Sequence, residues 1–89
     1  MNNKDILAAL SSDLKRIALG LQRNSLATVE RFTEEALKRK NEVNRKELKP
    51  YMQKILEELE VILGKKDLSR KAEDTLMYSQ LIQNYVLYK

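Results

Sequence analysis

The sequence predicts an all-α fold, a small four-helix and mainly antiparallel bundle that takes up residues 1–89 as a single domain. Three observations predict it. Helix-forming Ala, Leu, Lys, Arg, Glu and Gln dominate a chain with two Gly and one Pro, too few turn residues for many short strands. Apolar side chains recur at the three-to-four spacing of a helical face in four successive segments. The connections between those segments are short, and no Gly/Ser/Pro-rich linker interrupts them.

The first helix is expected over residues 4–22, with Ile6, Leu7, Leu10, Leu14, Ile17, Ala18 and Leu21 on one face and Asn3 or Asp5 satisfying its first amides. Gly20 falls inside this pattern at a cost of about 1 kcal/mol relative to Ala, which marks a close contact, a cap or a hinge. The second helix is expected over residues 25–41, capped by Ser25 or Asn24, with Leu26, Val29, Phe32, Ala36, Leu37 and Val43 as its apolar positions. So short a connection favours antiparallel neighbours, the alternative being one bent helix through Arg23. Glu34 with Lys38 and Glu35 with Arg39 are four apart, in the order that suits the helix dipole, each adding a few tenths of a kcal/mol (~0.3).

Periodicity weakens after Lys38 and the chain is expected to break between Asn41 and Lys49, where Asn44 and Glu47 form a capping pair for a short turn. The third helix, residues 49–63, has the plainest signature. Tyr51, Met52, Ile55, Leu56, Leu59, Ile62 and Leu63 share one face, while Gln53, Lys54, Glu57, Glu58 and Glu60 lie mostly off it. Pro50 suits its first turn, and Gly64 suits a left-handed residue just past its end. The fourth helix, residues 68–88, is capped by Asp67 or Ser69. Its apolar set is wider than one buried stripe requires: Leu68, Ala72, Leu76, Met77, Tyr78, Leu81, Ile82, Tyr85, Val86, Leu87 and Tyr88. Glu73, Gln80, Gln83 and Asn84 leave a narrow polar side, so this helix is expected to contact more than the core of its own chain.

Composition narrows the chemistry. Cysteine and histidine are absent, which excludes disulfides, thiolate nucleophiles, Cys or His metal ligands and serine–histidine catalysis. The carboxylate pairs Glu34–Glu35 and Glu57–Glu58 are adjacent in sequence and point about 100 degrees apart on a helix, so no metal and no cofactor are expected. Ser11, Ser12, Ser25, Ser69 and Ser79 lack a recognisable activating base, although a serine–lysine pair stays open, and a glycine-rich phosphate loop is missing. No apolar run approaches the roughly 20 residues of a bilayer span, and the N-terminal residues do not read as an export signal; no membrane insertion and a cytoplasmic location are expected.

The expected function is a non-enzymatic protein-interaction or regulatory module that self-associates, or binds another protein, through its C-terminal helix. Tyr78, Leu81, Tyr85 and Tyr88 are the candidate interface residues, because a tyrosine joins a large apolar ring to a hydroxyl that tolerates a wet rim. The alternative is a nonspecific nucleic-acid-binding accessory protein. Lys38, Arg39, Lys40, Arg45, Lys46 and Lys49 face only Glu42 and Glu47 locally, in a chain of net charge +4, and such cations neutralise phosphates with little sequence preference. Lys65, Lys66, Arg70 and Lys71 belong at the opposite end of the bundle, so the two basic clusters do not make one groove. Specific base reading by the third helix is disfavoured, since Glu57, Glu58 and Glu60 repel phosphate.

Overall fold

Four helices, α1 (Asn3–Gln22), α2 (Leu26–Glu42), α3 (Pro50–Leu63) and α4 (Leu68–Tyr88), build the bundle, with a 3₁₀ turn at Arg45–Glu47 between α2 and α3. The structure is a computed structural model; it describes residues 2–88, among which there is no strand. Helix α1 lies between α2 and α4, and α4 also packs along α3, whereas α2 and α3 meet only lightly. Neighbours are antiparallel: Tyr51 near the start of α3 meets Tyr85 near the end of α4, and Lys65 just past α3 meets Asp74 early in α4. Leu7, Leu10, Leu14 and Ile17 of α1, Met52, Leu56 and Leu59 of α3 and Ile82 of α4 are almost wholly enclosed and form one core.

Small residues let α1 and α4 approach closely. The Ser11 hydroxyl donates to the Ser79 carbonyl at 2.8 Å, and the Ser79 hydroxyl donates to the Ser11 carbonyl at 2.7 Å. Both serines are buried, so this exchange satisfies two hydroxyls that would otherwise be costly to enclose.

Most helix ends follow their local chemistry, with three departures from expectation. Asn2, rather than Asn3 or Asp5, caps α1, its side chain accepting the Asp5 N–H at 2.9 Å. Asn3 instead ties α1 to the α2–α3 connection, donating to the Asn44 carbonyl at 2.8 Å and accepting the Asn44 N–H at 2.9 Å. At the other end of α1 the chain turns through Asn24, a left-handed residue with φ 57°. The Ser25 N–H reaches the Gly20 carbonyl at 2.8 Å and the Asn24 N–H reaches that of Leu21 at 3.3 Å, the paired bonds of a Schellman ending. Helices α1 and α2 are therefore separate rather than one bent rod. Ser25 holds the N-cap position of α2, but its hydroxyl donates to Thr28 Oγ1 at 2.8 Å and not to the backbone.

Gly20 marks a close contact: a Cβ there would lie 3.0 Å from Val29 Cγ2 and 3.3 Å from Thr28 Cγ2. Asn44 and Glu47 pair as expected, with Asn44 Nδ2 donating to Glu47 Oε1 at 2.9 Å and Asn44 Oδ1 accepting the Lys46 N–H at 3.2 Å. Pro50 is the first residue of α3, and Asp67 Oδ1 accepts the Arg70 N–H at 3.3 Å at the start of α4. Gly64 is the third departure. Its φ is −91°, because the chain leaves α3 on a tightened right-handed turn in which the Gly64 N–H reaches the carbonyls of Glu60 and Val61, both at 3.2 Å.

Candidate interaction surface

Helix α4 turns two chemically different sides to its surroundings. Ala72, Thr75, Tyr78, Ser79, Ile82 and Tyr85 are buried against the rest of the bundle. Tyr78 and Tyr85, seven residues apart and so on one side, face α3. The Tyr78 hydroxyl donates to the Glu58 carboxylate, and that bond, reinforced by burial, pushes the phenol up to about 12. The Tyr85 hydroxyl accepts the Lys49 N–H at 3.3 Å, and its ring meets that of Tyr51 nearly edge-on, with centroids 5.6 Å apart and planes at 75°. Two of the four residues singled out by sequence are thus anchors within the chain.

The other two are on the outside. Leu81 is 40% exposed and Tyr88 is 82% exposed, joined by Met77 at 48% and Leu87 at 60%. Met77 also shares a shallow groove of about 270 Å³ with Val61 of α3, itself 67% exposed. Residues 75–88 contain no Asp, Glu, Lys or Arg, although 34% of the whole chain is charged. Met77 and the lack of charge were both visible in the sequence; which part of the wide apolar arc faces outward was not.

The basic segment is split. The Arg39 Nε donates to Asp13 Oδ2 at 2.7 Å, and Arg39 also lies 3.9 Å from Glu35. That hydrogen bond to a carboxylate whose side chain is only 4% exposed raises the already high pKa of the guanidinium. Of the two pairs expected along α2, Glu35–Arg39 is therefore made, while no ion pair joins Glu34 to Lys38 among the described residues. Lys40 is buried along its stem, and its Nζ donates to Glu60 Oε1 at 2.9 Å, which lowers the Glu60 pKa. Lys38, Arg45, Lys46 and Lys49 stay exposed, four cations where the sequence offered six.

A second groove, of about 250 Å³ between α1 and α4, brings Ser11, Ser12 and Ser79 to one place with Lys15. This is the grouping a serine–lysine mechanism needs, yet the Ser11 and Ser79 hydroxyl protons are committed to carbonyls and no hydrogen bond links Ser12 to Lys15 among the described residues. No cluster of three or more metal-ligating side chains occurs among the described residues, and none of their helices is long and apolar enough to cross a membrane. In comparisons with known proteins, the chain matches no family model, no curated protein and no solved structure.

Proposed function

We propose that this protein is a non-enzymatic interaction module that binds a second copy of itself through the outer side of α4, with Met77, Leu81 and Tyr88 as its principal contacts. One observation carries the reading: large apolar side chains stand exposed on a helix half that has no charged residue. The centres of protein interfaces are poor in charge and rich in aromatic residues and Met. Tyr78 and Tyr85 support the same role from beneath. By fixing α4 to α3 they hold its outer side chains on a rigid helix, so little order remains to be imposed on binding.

The test is light scattering after size-exclusion chromatography over a concentration series. The wild-type chain is expected at twice its 10.4 kDa mass. Leu81→Lys with Tyr88→Lys is expected to weaken association by at least about 30-fold, the effect of losing roughly 2 kcal/mol at an interface centre, with the helical spectrum unchanged. A wild-type monomer at every concentration rules the reading out.

A further inference from the structure

The excess positive charge of the chain gathers away from the outer side of α4. Residues 43–54 hold Arg45, Lys46, Lys49 and Lys54 against Glu47 alone, so three of the four net charges of the whole chain fall in the α2–α3 connection and the start of α3. All four cations are exposed, and none enters an ion pair among the described residues. Arg45 acts on Glu60 only through its charge, whereas Lys40 holds that carboxylate directly. Around this stretch the signs balance, since Lys4 stands beside Asp5 and Lys38 is one turn from Glu42. Glu57, Glu58 and Glu60 follow on α3 and bound the surface on that side, Glu58 already holding the Tyr78 hydroxyl. The other basic stretch, residues 65–74, sets its cations against Asp67, Glu73 and Asp74, binds Lys65 to Asp74, and contains no aromatic ring.

The basic turn is held in place. Gln53 Nε2 donates to the carbonyls of Arg45 at 2.8 Å and Leu48 at 3.0 Å, Asn44 Oδ1 accepts the Lys46 N–H at 3.2 Å, and Asn3 binds Asn44 from α1. Two positions beyond Lys49 stands Tyr51, 54% exposed, its ring set nearly perpendicular to that of Tyr85, which is 5% exposed and takes the Lys49 N–H on its hydroxyl. A buried ring therefore supports an exposed one beside the cations, and little order is left to impose on binding.

Fixed cations suit any polyanion, and the ring chooses among them. An acidic polypeptide offers charge but no regular series of flat faces, and in a duplex each base face is covered by its neighbours. A single strand offers phosphates together with bases free to stack, a pairing that aromatic side chains in a basic groove exploit with little regard to sequence. We propose that the α2–α3 connection and the first turn of α3 bind single-stranded nucleic acid, with Arg45, Lys46 and Lys49 on the phosphates and the Tyr51 ring against a base. This surface is separate from the outer side of α4 and does not depend on self-association.

The test is fluorescence anisotropy of a labelled oligothymidylate of about 15 nucleotides, titrated with the whole chain over a salt series. Wild type is expected to bind at low salt with a Kd no weaker than about 100 μM. Lys46→Gln with Lys49→Gln is expected to lower the slope of log K against log salt by roughly 1.4, two phosphate contacts at about 0.7 each. Tyr51→Leu is expected to weaken binding at least about fivefold, Tyr51→Phe to retain it, and Tyr51→Leu to leave binding to the oligothymidylate–oligoadenylate duplex unchanged. Absence of single-strand binding at low salt overturns the proposal. So does a Tyr51→Leu protein that binds the single strand as wild type does or loses the duplex equally, and so does poly-glutamate that displaces the oligonucleotide as well as unlabelled oligothymidylate does at equal charge. Helical spectra verify the folds. Should Tyr51→Leu lose its helices, the lysine variant and the poly-glutamate competition decide, because Lys46 and Lys49 are exposed and the hydrogen bonds they make run through their backbone amides.

Discussion

Among single residues, Tyr78 joins α4 to α3 through Glu58, and its phenol makes that contribution dependent on pH. Its hydroxyl proton is held by Glu58, and ionisation inside the bundle is opposed, so the folded pKa rises to about 12. An unfolded tyrosine ionises near 10 (~10). A raised folded value means that the contribution is complete below the unfolded value and is lost as pH climbs through the folded one. Tyr78→Phe is expected to cost about 1–2 kcal/mol in urea unfolding at neutral pH, and to show a shallower loss of stability than wild type across the alkaline window. Equal alkaline slopes in the two proteins would sink this assignment. Spacing alone set Tyr78 and Tyr85 on one side of α4, but not which side. Their partners, Glu58 and Lys49, are 20 and 36 positions away, a relation that no local pattern encodes.

For the elements, one of the two glycines fills the role that periodicity suggested and the other does not: Gly20 stands at a close contact, whereas Gly64 is not left-handed. Gly64 sits at a right-handed φ of −91°, and a Cβ there meets only the Glu60 and Val61 carbonyl oxygens at 3.4 and 3.6 Å, ordinary contact distances. Gly64→Ala is therefore expected to stabilise the protein by about 0.4–1 kcal/mol, through reduced freedom of the unfolded chain. Gly20 is the constrained one, because α2 begins directly against it. Gly20→Val is expected to destabilise by about 1–3 kcal/mol, since its methyls must displace Val29 and Thr28. Thermal unfolding of both variants decides the point, and a stabilised Gly20→Val would contradict the contact. Helix ends marked by Pro50, Asp67 and the Asn44–Glu47 pair were legible because each signal acts within a few residues. The backbone of Gly64 was not, since it depends on how the chain leaves α3 toward the next segment.

Across the whole molecule, the bundle is unevenly closed. Helix α1 buries Leu7, Leu10, Leu14 and Ile17 almost completely, whereas the buried residues of α2 are Val29, Ala36 and Lys40. With little contact between α2 and α3, α2 depends on α1 and on two ion pairs, Asp13–Arg39 to α1 and Lys40–Glu60 to α3. Its amides are expected to exchange with solvent faster than those of α1 and α4, because local opening there exposes less apolar surface. The Lys40–Glu60 pair gives this opening a pH dependence. Glu60 has a lowered folded pKa, caused first by its hydrogen bond to Lys40 and then by that ammonium's charge. A depressed carboxylate contributes stability above its unfolded value, near 4.3 (~4.3), and loses it as pH falls through the folded value. In Glu60→Gln the contribution is missing at every pH. Hydrogen exchange, corrected for intrinsic rates, should therefore show α2 less protected in Glu60→Gln than in wild type at neutral pH, with the difference closing as the solution is acidified through the carboxylate range. A difference that persists unchanged in acid would mean that the substituted amide acts by altered packing rather than by lost charge, and uniform protection across all four helices would mean that α2 is not the weak side of the bundle.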